Sequence, residues 1–182
     1  MPAPPATLIF PANFNSQGYL DPGFHAWNVE TLRFHFVDMI PHSTTRPVIW
    51  SGFGELRICL GTLGLQVEQW VGGSFTSTKP DPNDLDVANF FDPDQIGDLS
   101  DQGTLLLRTY VSGKSTQHLC HCDSYFALKV PEEHPLREDF ETAYNYWLEK
   151  FGTDRNDTQR GIVVTPCEPP TPIDDDPIAA NP

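Results

Sequence analysis

The sequence predicts a single α+β domain in which a mixed sheet is flanked by helices. Apolar stripes at helical spacing are interleaved with segments of alternating polarity. A chain of 182 residues is long enough for one sizeable core and only one.

Residues 1–27 are rich in proline, glycine and aromatics without a sustained period, which predicts an extended arm. Its aromatics, Phe10, Phe14, Tyr19, Phe24 and Trp27, predict that it lies against the domain. Asn28 reads as the N-cap of a helix from Val29 to about Met39, with Glu30 favourable at its positive end and Pro41 as its stop. Val48, Ile49, Phe53, Leu56 and Leu60 then recur at helical spacing, though Gly52 and Gly54 weaken that helix.

The alternation in Leu65 to Val71 predicts a strand, and a second runs from Asp84 through Phe91 to the stop at Asp92-Pro93. A helix is expected within 93–111, and a long strand over Gln117–Leu128. Pro135 opens the clearest helix, striped by Leu136, Phe140, Tyr144, Trp147 and Phe151 and ended by Gly152. Gly161–Thr165 predicts a short last strand. Residues 28–165 thus form the domain, and the proline- and aspartate-rich 166–182 reads as a disordered tail.

Acidic residues number 25 against 11 lysines and arginines, for a net charge of -14 and a pI near 4.5. That excess repels a polynucleotide backbone, so direct nucleic-acid binding is not expected without a partner to supply positive surface. No basic-then-apolar leader and no apolar run of about 20 residues is present, so a soluble, cytoplasmic protein away from membranes is expected. Cys59, Cys120, Cys122 and Cys167 form no Cys-x-x-Cys pair and read as small buried thiols. A zinc cluster of His118, His121, Cys120 and Cys122 is disfavoured, because an extended strand would spread its ends about 13 Å apart.

The chemistry concentrates between Val71 and Val87. A Gly72-Gly73-Ser74 turn leads through a polar loop with Lys79 to Asp84-Leu85-Asp86. On a strand Asp84 and Asp86 share one face, and two aligned carboxylates suit a hard divalent cation that neutralises their repulsion. Glycines admit a ligand close to the backbone, and successive turn amides attract anions. A phosphate cradle beside paired carboxylates points to nucleoside triphosphate chemistry.

This pattern resembles the signature of the DNA polymerase beta-like nucleotidyltransferase superfamily, and most of all its minimal single-domain members. Phe14-Asn15, Gly18 to His25, Gly73-Ser74-Phe75 to Asp86, Phe151 to Arg155 and Gly161-Ile162-Val163 are similar to an uncharacterised bacterial and phage family of such proteins.

The resemblance implies a nucleotidyltransferase-like fold. It also implies a Mg²⁺-dependent transfer of a nucleoside monophosphate from a triphosphate to a hydroxyl on a protein side chain or RNA end, in a toxin-antitoxin or phage-defence setting with a protein partner. Asp84, Asp86 and Asp123 would be catalytic and hold two Mg²⁺ ions; Gly72, Gly73, Ser74 and Lys79 would bind the nucleotide. Arg155 and Arg160 read as solvated surface charge, with contact to a triphosphate or a partner as the alternative, and His25 and His35 as ordinary histidines. The alternative is an inactive nucleotidyltransferase-fold protein that docks a partner or senses nucleotide.

Overall fold

The computed structural model describes residues 14–169; the expectations for Phe10 and for 170–182 lie outside them. Strand β1 spans Gly23–Ala26 and helix α1 Val29–Arg33, the latter running on through a π-helical turn at Phe34–Asp38. Helix α2 covers Arg46–Thr62, strands β2 and β3 cover Val67–Gly72 and Leu85–Phe91, and helices α3 and α4 cover Pro93–Gly97 and Asp101–Tyr110. The two-residue β4 (Ser112–Gly113), α5 (Gln117–Cys120), β5 (Cys122–Leu128), α6 (Arg137–Gly152) and β6 (Gly161–Cys167) follow.

The strands form one mixed sheet in the order β1-β6-β2-β3-β5-β4. Strand β2 lies antiparallel to both β3 and β6, whereas β3 and β5 run parallel, as do β1 and β6. A parallel pair needs a crossover, and the segment from α3 to α5 supplies it for β3 and β5.

Both faces of the sheet are covered, which is why β2 and β3 are buried almost throughout. On one face Leu56 and Leu60 of α2, Phe36, Phe75 and Leu107 pack on Val71, Leu85, Val87 and Phe91. On the other, Trp147 and Phe151 of α6 pack on Trp70, Ala88, Phe90 and Ile162. At roughly 25 cal/mol per Å², each such side chain contributes about 1.5–3 kcal/mol relative to exposure.

Several sequence expectations need correction. Gln117–Leu128 is not one strand: Gln117–Cys120 is helical, His121 takes a left-handed conformation (φ 53°), and the strand begins at Cys122. Thr116 fixes this turn, because its buried hydroxyl lies 2.6 and 2.7 Å from the carbonyls of Gly113 and Cys122, which share its one proton, and accepts from the Ser124 amide. Alternating faces therefore do not describe His118 to His121. The helix expected within 93–111 is two, each capped afresh by Asp92 and Ser100. The arm contributes β1, so the sheet begins before residue 28, and Pro166 and Cys167 belong to β6, not to a tail. Helix α6 starts at Arg137, two residues after Pro135.

Candidate functional site

Asp86 sits in β3 directly opposite Asp123 of β5, and Gly72 of β2 pairs with Asp86 from the other side. Asp84 precedes β3 by one residue, and its Oδ2 accepts from Gln117 Nε2 at 2.9 Å. The parallel β3–β5 register, with the Leu85 amide bonded to the His121 carbonyl, thus brings Asp84, Asp86 and Asp123 to one end of the sheet.

The environment of these acids is costly. Asp123 is 4% exposed, and its Oδ1 is buried without a hydrogen-bond partner. Such an orphan oxygen costs about 1–3 kcal/mol, more when charged. Burial and then repulsion from Asp84 raise the Asp123 carboxyl above the ordinary range, opposed by Lys114 and by the Tyr125 hydroxyl. Asp86 is pushed up to about 6 by burial, then by the charges of Asp84 and Asp123, with Arg160 and Lys150 acting the other way. The Tyr125 hydroxyl is pushed up to about 12 by burial and by Asp123 and Asp86. No ion pair joins these acids to any cation among the described residues.

The glycine turn abuts this corner. Gly73 has φ +74°, and a Cβ there would run into the Asp86 carboxylate. Gly73→Ala is expected to cost at least about 1–2 kcal/mol through the left-handed backbone alone, and to displace Asp86 besides; paired thermal melts of the two proteins check this. Gly72 is needed for a different reason, since a Cβ there would strike the Phe151 ring. Ser74 is half-buried, its carbonyl accepting from the Ser77 hydroxyl, and Lys79 is exposed on the loop.

Sequence reasoning missed Arg46 and Tyr125 here and gave Arg160 as solvated charge. Arg46 is fully buried and donates to the carbonyls of Phe36, Phe75, Ser77, Lys79 and Pro80 at 2.7–3.2 Å, pinning the loop that follows the glycine turn. Arg160 is not free surface charge. Its guanidinium donates to the carbonyls of Phe151 at 2.8 Å and Lys150 at 3.0 Å, closing the end of α6 beside Asp86. Tyr125 packs against Trp147 with ring centroids 4.7 Å apart, over Gly113, where a Cβ would meet its ring.

The distant sequence blocks meet at this corner. The Tyr19 hydroxyl donates to Asp154, Tyr19 bridges to Ser77, and the Gly18 and Leu20 carbonyls accept from Thr78 and Gly161. Asp154 in turn caps the 154–158 turn by accepting from the Asn156 and Thr158 amides. The stretch running from Phe14 through Thr165 is therefore one structural unit, and the profile of a family of unknown function, DUF6932, matches residues 12–165. The chain belongs to this family. No curated protein and no solved structure matches the chain.

All three acids of the corner, the glycine turn and Arg160 fall within the span of the DUF6932 match. An all-oxygen donor set with an orphan buried oxygen suits a hard divalent cation, which takes its other ligands from water and phosphates. The side chains do not close around a single point: among the described residues no three His, Cys, Asp or Glu groups converge on a common ion position. His118 and His121 are exposed, while Cys120 and Cys122 are buried beneath the corner.

A groove of about 780 Å³ lies elsewhere, at the opposite ends of β2 and β6. Five residue steps along β2 separate Val67 in that groove from Gly72, roughly 17 Å of strand. Chemistry-bearing groups mark the acid corner; volume marks the far end.

Proposed function

We propose that this chain is a Mg²⁺-dependent nucleotidyltransferase that moves a nucleoside monophosphate from a nucleoside triphosphate to a hydroxyl acceptor. The reading rests on Asp123: a 96% buried carboxylate with an unpartnered oxygen, directly opposite Asp86 and beside a glycine turn. Burying a carboxylate oxygen without a hydrogen-bond partner is expensive, and a bound cation is the compensation that also gives it work. Asp84, Asp86 and Asp123 would hold two ions. Bound Mg²⁺ would neutralise triphosphate charge and lower the pKa of the acceptor hydroxyl.

The chain's own residues have the remaining tasks. The Gly72-Gly73-Ser74 turn would receive phosphate oxygens on its amides, with Lys79 on the exposed side of the loop. Arg160, its guanidinium oriented by two carbonyls, would meet further phosphate charge beside Asp86. Asp123 would accept the acceptor's proton as the new oxygen–phosphorus bond forms and pyrophosphate leaves. Positioning and charge neutralisation supply most of the catalysis that phosphoryl transfer needs. The net charge of -14 disfavours a free RNA end and favours a protein side chain as acceptor, in a cytoplasmic toxin-antitoxin or phage-defence pair.

Incubating the protein with Mg²⁺, each labelled nucleoside triphosphate and the proteins encoded beside it is expected to give label transfer. Asp84→Ala and Asp123→Ala should each lower it by about a thousandfold, as for removal of a principal electrostatic group. Full transfer by either variant rejects the assignment. The spread of the three acids favours a second reading, a fold that binds a partner or senses nucleotide without turnover. That reading gives triphosphate or partner binding with no transfer.

A further inference from the structure

The two edges of the sheet are finished differently. Strand β4 is two residues long and gives way at once to the 3₁₀ turn at Lys114–Thr116, which blunts that edge. Strand β1, Gly23-Phe24-His25-Ala26, carries neither the lysine nor the internal proline that usually guards an edge. Among the described residues no strand pairs with its outer side.

The Trp27 amide donates to the Val164 carbonyl. By the alternation of a parallel ladder, the peptide groups of Gly23 and His25 also face β6, whereas those of Phe24 and Ala26 face outward.

An apolar cleft lies on the same side. The Phe24 side chain is 46% exposed and packs on Trp70, with centroids 4.7 Å apart, and near Tyr144 at 6.5 Å. Together with Phe90 and Phe140 these rings line a cavity of about 240 Å³. Glu68, Phe90, Lys129 and Val164 line both this cleft and the 780 Å³ groove, so the two adjoin. Lys129 is paired with Glu68, which leaves Asp92 and Glu168 as the uncompensated charges of that groove.

We propose that the outer edge of β1 and its aromatic cleft receive an extended segment of a basic partner protein. The segment would add as a further strand, its outward-facing amides meeting those of Phe24 and Ala26 and an aromatic or branched side chain entering the cleft beside Phe24. Charge selects this occupant. Pairing with a second copy would bring two bodies of net charge -14 together, whereas lysine or arginine at alternate positions meets the acidic surface. The surface lies at the sheet's β1 edge, three strands from Asp86 in the order β1-β6-β2-β3, and does not depend on any nucleotide chemistry.

The test uses the full chain and two fluorescein-labelled peptides, Lys-Val-Lys-Phe-Lys-Val-Lys and its twin with glutamate for lysine, read by anisotropy and by amide exchange. The lysine peptide is expected to bind at least tenfold more tightly than its twin. Phe24→Ala and Ala26→Pro should each weaken it at least tenfold, and the Phe24 and Ala26 amides should exchange rapidly in the free chain and slowly in the complex. No binding of the lysine peptide, equal binding of the twins, or indifference to Phe24→Ala overturns the proposal. So does slow exchange of both amides in the free chain, which would mean that a terminal segment of this protein already covers the edge. A dimer that Phe24→Ala dissociates would give the edge to a second copy instead.

Discussion

Asp86→Asn is expected to stabilise the metal-free protein at pH 7.5 and to abolish the proposed nucleotidyl transfer. The Asp86 carboxyl is raised to about 6 from an ordinary value of 3.8, by burial first and by Asp84 and Asp123 next. An acid with a raised folded pKa binds its proton more tightly when folded, so between about pH 4 and 6 the folded chain holds more protons than the unfolded one. Stability therefore falls as pH rises through that window and stays low above it. At 1.36 kcal/mol per pH unit, a shift of about 2 units corresponds to up to about 3 kcal/mol lost by neutral pH.

Asparagine keeps the shape and removes the charge, so most of that loss should return. For a domain of this size, about 3 kcal/mol is worth roughly 6–12 °C in melting temperature. The wild-type protein should melt higher at pH 5 than at pH 7.5, and the variant should show a flatter profile. Millimolar Mg²⁺ should raise the wild-type melting temperature at pH 7.5 and leave the variant's nearly unchanged, since only a chain that binds the ion gains from it. An acid that merely decorates a strand edge predicts no gain from asparagine and no response to the ion.

Local pattern and long-range contact explain what could be read in advance. The alternation in Leu65–Val71 and the stripe of Phe140, Tyr144, Trp147 and Phe151 report burial directly, and both elements stand within a residue or two of where they were expected. Asp84 and Asp86 were legible because their spacing and the preceding glycines are local. Asp123 was placed beside them by a parallel register set by the crossover, although the expected strand around it was half wrong.

The turn at His121 was hidden because its cause is the Thr116 hydroxyl, which reaches forward to Cys122 and Ser124 and back to Gly113. Strand β1 was hidden because its four residues carry no alternation of their own and are ordered by β6, more than a hundred residues away. Arg160 looked solvated because nothing near it in sequence announces the carbonyls it closes.

Arg46 is the residue least visible in the sequence and the one whose loss should cost most. It opens α2, yet four of its five carbonyl partners lie 29–34 residues downstream, in the loop between the glycine turn and Asp84. Burial lowers its pKa to about 10, with nearby Asp81 opposing the shift, so the guanidinium stays charged at neutral pH. Asp81 itself accepts from the amides of Thr44 and Thr45 and the hydroxyls of Ser43 and Thr44, tying the loop's end to the start of α2.

Arg46→Met keeps an apolar stem but removes the guanidinium that lies 5.0 Å over the Phe75 ring, and with it every side-chain donor. Several buried carbonyls then lose partners that, as bonds from a charged donor, contribute about 1.5–3 kcal/mol each. Because the loop can swing outward to water, the net loss should be about 3–5 kcal/mol, the range for breaking a buried charged cluster. A drop of roughly 6–20 °C in melting temperature is expected, together with faster amide exchange from Phe75 to Asp81. Transfer activity should fall even at temperatures where the variant is fully folded, because the loop carries the glycine turn toward Asp86. Normal exchange across 75–81 in a folded variant would mean that the loop holds its shape unaided and that the arginine serves the core alone.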